Sequence, residues 1–265
     1  MPIRMYHIPV CPFSQRLEIL LELKGLTGLV EFVTVDITKP RDPHILALTG
    51  GTTALPVFEL EDGRALKESL VLMDYLETRF PDPPVRRSDP YERAIENLLV
   101  THESNFVPSG YNLTLSQDPA RKNELAQRYL DQHRKLNDFL VRHGHPTEPW
   151  LFDRFGWAEA VFTPFFRRFA FVSWYDEVEL PLTDDFARVR AWRDACLAHA
   201  AAQQVTDEEI LKTYYDYTRG IGNGGVLPGR TVSSFAFTPH WKDRPVPPRG
   251  KSGPPLTDAE LGLVP

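Results

Sequence analysis

Residues 3 to 8, Ile-Arg-Met-Tyr-His-Ile, form a short β-prone run that stops at Pro9. From there the apolar positions fall at Phe13, Leu17, Leu20, Leu21 and the alkyl stem of Lys24. That spacing keeps them on one face of a helix, which Gly25 and Gly28 end. Across residues 30–37, Val33, Val35 and Ile37 alternate with polar neighbours, as in a strand. Strand, helix and strand in this span make a βαβ unit and predict a parallel pair. After a variable stretch, residues 55–60 and 65–67 flank the turn Glu61-Asp62-Gly63 and predict an antiparallel hairpin. Ser69 is expected to cap a helix running to about Phe80, ended by Pro81-Asp82-Pro83-Pro84. The predicted order over residues 1–82 is βαβαββα, an α/β domain.

Beyond the prolines the texture changes to long helical segments at 91–106, 120–141, 157–171 and 185–199, so residues 90–219 are expected to form an all-α domain. Pro164 should kink its helix. From 220 to 265 Gly, Pro and Ser dominate, as in Gly222-Asn223-Gly224-Gly225. This is an extension without a core of its own, expected to pack on the helical domain through Phe235, Phe237 and Trp241.

Composition agrees with a soluble two-domain protein: 265 residues, 42% hydrophobic and 25% charged. The formal charge of -6 is spread along the chain, which argues against a nucleic-acid partner. No segment approaches the roughly 20 apolar residues of a membrane span, and no secretory signal precedes the first strand, so a cytoplasmic location is expected. The eight histidines lack metal-ligand spacing, and no metal is expected. Two cysteines cannot build a disulfide framework.

Cys11 is the residue with chemistry to offer. It falls at the start of the first predicted helix, with Pro12 in the first helical position, where a missing N–H costs nothing. The free N–H groups of Phe13 and Ser14 can point toward the sulfur, and the helix dipole favours an anion there. Ser14 stands where a dithiol oxidoreductase carries its second cysteine, so an external thiol must resolve any disulfide formed on Cys11. Cys196, inside a helical stretch, reads as a packing residue, as do Met73 and the phenylalanines at 162, 165, 166, 169 and 171.

Cys11-Pro12-Phe13-Ser14 at a strand-to-helix junction, followed by the βαβαββα order, resembles the glutathione transferase superfamily, and in particular its omega class, which uses a cysteine at this place. Residues 49–56, Phe155-Gly156-Trp157-Ala158-Glu159, Tyr214-Tyr215-Asp216-Tyr217-Thr218 and Asp258-Ala259-Glu260-Leu261-Gly262-Leu263 are similar to the glutathione lyases of bacterial lignin β-aryl ether degradation. The resemblance implies a thioredoxin-like N-terminal domain, glutathione as co-substrate and, by analogy, a homodimer. It implies glutathione contacts at Phe13, Lys39, Leu55, Pro56, Glu68 and Ser69. Pro56 would be cis, and Leu55 would hydrogen-bond the cysteinyl backbone of the tripeptide. Glu68 would face the γ-glutamyl ammonium, Ser69 the carboxylate beside it and Lys39 the glycyl carboxylate. One departure lies in the second domain, where Gly156 and Glu159 replace the usual Ser or Thr cap with Asp three residues on. There Glu159 can supply half of a capping box.

The implied reaction removes glutathione from an α-thioether of an aryl ketone through a Cys11–glutathione disulfide. Tyr111 and Tyr217 are expected to line the aromatic pocket beside it. Three other readings stay open. They are a general omega-class thiol transferase or dehydroascorbate reductase, a noncatalytic ligand-binding protein of this fold, and a transferase in which Ser14 activates glutathione.

Overall fold

The computed structural model describes residues 2–222 and 224–264; Asn223 of the glycine run, with Met1 and Pro265, lies outside them. The first half builds in the predicted order, except that the second strand stops at Thr34, short of Val35 and Ile37. Strand β1 (Ile3–His7) is followed by helix α1 (Pro12–Leu23), strand β2 (Val30–Thr34), a short helix α2 (Pro43–Leu48), the hairpin β3 (Val57–Glu59) and β4 (Ala65–Lys67), and helix α3 (Ser69–Arg79). The four strands form one mixed sheet in the order β2-β1-β3-β4. β1 runs parallel to β2, with Met5 opposite Phe32, and antiparallel to β3, with Met5 opposite Phe58. Only the βαβ crossover permits the first pairing, and only the Glu61-Asp62-Gly63 turn permits the second. Helices α1 and α3 pack against the sheet through Leu17, Leu20, Leu72, Met73 and Leu76, all buried.

The remainder is helical. It comprises α4 (Pro90–Thr101), α5 (Glu103–Leu115), α6 (Lys122–His143), α7 (Trp157–Arg168), α8 (Ala187–Ala198), α9 (Asp207–Thr213) and α10 (Tyr215–Thr218). The segment expected as one helix over 91–106 is two, broken at His102 so that α5 starts afresh. Helices α9 and α10 are too short for periodicity to reveal. Pro164 does not end its helix: α7 runs unbroken to Arg168, and α5 likewise contains Pro108. Close packing on every side holds such a helix despite one missing hydrogen bond, since residues 157–166 of α7 are all buried. No helix among the described residues is long and apolar enough to cross a membrane.

Helix α7 carries the load between the two halves, packing on α1, α4 and α8. Its cap is the departure noted above, and Glu159 does more there than half a capping box. One carboxylate oxygen accepts from the Gly156 N–H (3.0 Å), and the other from the Leu151 N–H (2.8 Å) and the Trp192 indole (2.9 Å). A buried carboxylate with three donors is well compensated.

The extension after residue 220 is docked on the helical domain, with Leu227, Phe235, Leu261 and Leu263 buried. A buried ion triad ties it down, Arg230 bonding Asp216 of α10 and Asp258. Lys251 pairs with buried Asp176 at 2.7 Å. Phe237, expected to pack, is exposed, whereas Phe235 carries the contact.

Near the α7 cap lies a second carboxylate, Glu96 of α4, fully buried with one long bond from the Arg87 N–H at 3.3 Å. Burial, with Glu159 adding repulsion, raises its pKa to about 7. A carboxyl whose pKa is raised on folding favours the fold fully below its unfolded value, near 4.5, and that contribution is lost as pH climbs through about 7. Stability should therefore fall between pH 5 and 8 by about 3 kcal/mol from this group. Glu96→Gln should flatten that slope in thermal melts across the range. An unchanged slope would assign the pH dependence elsewhere.

Candidate active site

The first turn of α1 presents Cys11. Its backbone takes an extended conformation (φ -74°, ψ 125°) at the helix N-cap, with Pro12 as the first helical residue. Its N–H donates to the Ile8 carbonyl (2.9 Å) and its carbonyl accepts from the Gln15 N–H (3.0 Å). The thiol itself makes no capping hydrogen bond, so the expected aim of the Phe13 and Ser14 amides at the sulfur is not what the turn does. The half-buried side chain instead lines a cleft of 760 Å³ between the two halves of the molecule.

Cys11, Phe13, Lys39, Leu55, Tyr111 and Tyr217 all line this cleft. Phe13, Leu55, Pro56, Glu68 and Ser69 line a second hollow of 340 Å³ that shares Phe13, Ala54 and Leu55 with the first. Every site residue expected from the sequence thus falls on one continuous groove. The Leu55–Pro56 peptide bond is cis. Glu68, not Ser69, is the N-cap of α3, and it stands at φ 71°. A non-glycine residue in that region costs about 1–3 kcal/mol and persists where the surroundings hold it, commonly at ligand clamps.

Ser69 opens α3, and its hydroxyl accepts from the buried Arg16 guanidinium at 3.1 Å. Arg16 lies on the apolar face of α1. It also donates to the Val161 carbonyl (3.0 Å), pairs with Glu103 (2.7 Å) and covers the Phe165 ring at 4.6 Å. Burial pulls its pKa below the usual arginine value in spite of Glu103. The second hollow therefore holds a cation with a hydroxyl beside two carboxylates, Glu68 and Glu103. That pattern is complementary to the zwitterion of an amino acid.

Lys39 is 74% exposed and paired with Asp36 at 3.1 Å. Arg41, which sequence reasoning missed, lies deeper in the cleft wall. One of its nitrogens donates to the Thr53 carbonyl (3.2 Å), while Nε and Nη1 are buried without a hydrogen-bond partner. Burial lowers its pKa. No periodic signal marks Arg41, because it lies in a loop whose path only the fold decides.

Three phenols form the opposite wall. The ring centroids of Tyr111 and Tyr217 are 5.6 Å apart and those of Tyr214 and Tyr217 5.7 Å. Burial raises the pKa of all three, that of Tyr214 to about 12, so they remain hydrogen-bond donors at neutral pH. Phe235 of the extension closes this wall against Tyr214, centroids 4.9 Å apart. Ser14 is fully buried and lines neither hollow, so it is not brought to the groove beside Cys11. Cys196 is buried as well, and burial raises its pKa far above the usual thiol value.

A thioredoxin-like domain with a cysteine-headed helix, followed by an all-helical domain across a shared cleft, is the glutathione transferase fold. Residues 5–84 match the glutathione S-transferase N-terminal domain. A probable glutathione S-transferase of Solanum tuberosum is 21% identical over 83% of this chain and 97% of its own. Glutathione S-transferase omega-1 of Sus scrofa is 25% identical over 53% of this chain and 56% of its own. Among solved structures, glutathione transferase Omega 3C of Trametes versicolor superposes with a TM-score of 0.66 at 24% identity, covering 77% of this chain and 88% of that one. These findings support the glutathione transferase superfamily with omega-class resemblance. Glutathione is the co-substrate of that family, and dimerisation is typical of it.

The two cations at the cleft predict an order. Arg41→Ala should weaken glutathione binding about tenfold, since it removes a poorly solvated cation, whereas Lys39→Ala should change it less than about twofold. Calorimetric titration of both variants checks this, and a larger loss in Lys39→Ala would reverse the assignment.

Proposed function

We propose that this chain is a glutathione-dependent thiol transferase whose nucleophile is Cys11, and that its substrate is a glutathione thioether on the carbon next to an aryl ketone. The observation that carries the reading is Cys11 on the floor of a cleft walled by three protonated tyrosines, continuous with a hollow suited to an amino-acid zwitterion. Glu68, Ser69 and Arg16 hold the γ-glutamyl end, Leu55 and Pro56 the cysteinyl backbone, Phe13 the turn between the hollows, and Arg41 with Lys39 the glycyl carboxylate. We adopt the same division as before, 1–82 for glutathione, 90–219 for the acceptor and 220–265 as its outer wall, in a homodimer.

The Cys11 thiolate attacks the glutathione sulfur. An S–S bond forms, the S–C bond breaks, and its electron pair passes to carbon as an enolate that takes a proton to become the ketone. Tyr111 and Tyr217 donate to the developing enolate oxygen, in the manner of an oxyanion hole. A second glutathione, as its thiolate, attacks the Cys11 disulfide, leaves as glutathione disulfide and restores Cys11. The sum is thioether plus glutathione giving ketone plus glutathione disulfide, with the carbon reduced by two electrons and two glutathionyl sulfurs oxidised. A simple alkyl thioether has no carbonyl to accept the pair and should be inert. Reduction of a glutathione mixed disulfide uses the same sulfur and is the second reading, with which the omega-class resemblance is compatible.

Exposure to an aryl-ketone thioether of glutathione without free glutathione should leave one glutathionyl adduct on Cys11, seen by mass spectrometry, with free ketone released. Cys11→Ser should lose at least about a thousandfold in turnover. Full activity in that variant, or no adduct on Cys11, overturns the reading. Turnover of mixed disulfides alone selects the second.

A further inference from the structure

The carbonyl that immediately precedes Cys11, that of Val10, accepts from three donors. Two are Nε and Nη2 of Arg168, at 3.0 and 2.6 Å, and the third is the Tyr214 hydroxyl at 3.0 Å. A carbonyl oxygen has two lone pairs, so this acceptor is saturated and the plane of the Val10–Cys11 peptide is fixed. The Cys11 N–H is bound on the other side to Ile8. The turn that aims the sulfur is thus clamped by two residues of the helical domain, Arg168 and Tyr214.

Arg168 is fully buried and is the last residue of α7. Its remaining nitrogen donates to Gln15 of α1 and to the Pro164 carbonyl. Among the described residues, no carboxylate pairs with it within 4 Å, although neighbouring Arg167 pairs with Asp207. Burying a cation without an ion-pair partner is expensive, and most buried arginines have one. The negative end of the α7 dipole offsets part of that cost. A further offset comes from Glu209 of α9, whose carboxylate the Arg168 charge favours against its burial. The other charged or titratable groups around this cluster are Arg16 of α1, Glu103 of α5, and Lys39 and Arg41 across the cleft.

We propose that Arg168 is a positioning residue for Cys11. Its guanidinium fork holds the Val10 carbonyl so that the sulfur faces the cleft. The helical domain then completes the nucleophile of the thioredoxin-like domain. The inference rests on Cys11 being the working sulfur and not on which substrate it serves.

The full chain is tested by alkylating Cys11 at pH 7 with neutral iodoacetamide and with anionic iodoacetate, the site of modification confirmed by peptide mass, so that no substrate assignment enters. Arg168→Met should slow alkylation about tenfold at pH 7 and lower the iodoacetate-to-iodoacetamide rate ratio. Arg168→Lys keeps the charge without the fork, and should keep the ratio but lose rate. Tyr214→Phe removes one donor and should lose rate about two- to threefold with the ratio unchanged. Thermal melts and glutathione titration identify any variant that fails to fold, and if Arg168→Met is one, the other two carry the test. Wild-type rates and ratio in the folded variants would overturn the proposal.

Discussion

The structure depends on how α7 is seated against α1. Two arginines cross that contact with their guanidinium groups buried, Arg16 reaching from α1 to the Val161 carbonyl of α7 and Arg168 reaching back from α7 to the Val10 carbonyl. Each is a long side chain with a fixed fork of donors, so each sets both the spacing and the rotation of one helix relative to the other. A purely apolar contact would tolerate a slide of about one side chain, whereas a bidentate bond to a carbonyl does not. Cys11 follows Val10 directly, and Ser69 takes a hydrogen bond from Arg16, so both hollows of the groove inherit their geometry from this pair.

Around that contact the polar groups are satisfied in a hierarchy. Glu159 closes the start of α7 and binds the Trp192 indole of α8, tying the helical domain to itself. The Asp216–Arg230–Asp258 triad ties the extension to α10, whose chain leads back to Tyr214 and Tyr217 in the cleft. Buried charge networks of this sort add little net stability but penalise alternative arrangements strongly, because breaking one partner strands the other. That suits a cleft whose wall comes from residues far apart in the chain.

The groove is chemically graded from end to end. One hollow presents a hydroxyl and a cation beside two carboxylates, the middle presents the sulfur, and the far wall presents protonated phenols across the cleft from Arg41. On the proposed reading, a tripeptide laid along it would meet groups of complementary charge at both ends, with its central sulfur beside Cys11 and the aromatic wall facing the group that sulfur carries.

Much of this was readable in the chain. The strand-like run from Val30, which forms β2 only as far as Thr34, and the helical spacing of Phe13, Leu17, Leu20 and Leu21 marked the βαβ unit, since backbone pleat and helical pitch impose those periods locally. Cys11 before Pro12 marked the head of α1, and each site residue drawn from the resemblance reached the groove. The break at His102, the continuity of α7 through Pro164 and the shift of the α3 cap from Ser69 to Glu68 were decided by packing, which overrides local preference once a segment is buried. Arg41, Arg168, Tyr214 and Phe235 belong to loops, a helix end and an extension. Nothing within a few residues of them encodes their meeting, because a contact across the chain exists only after the core has brought its two ends together.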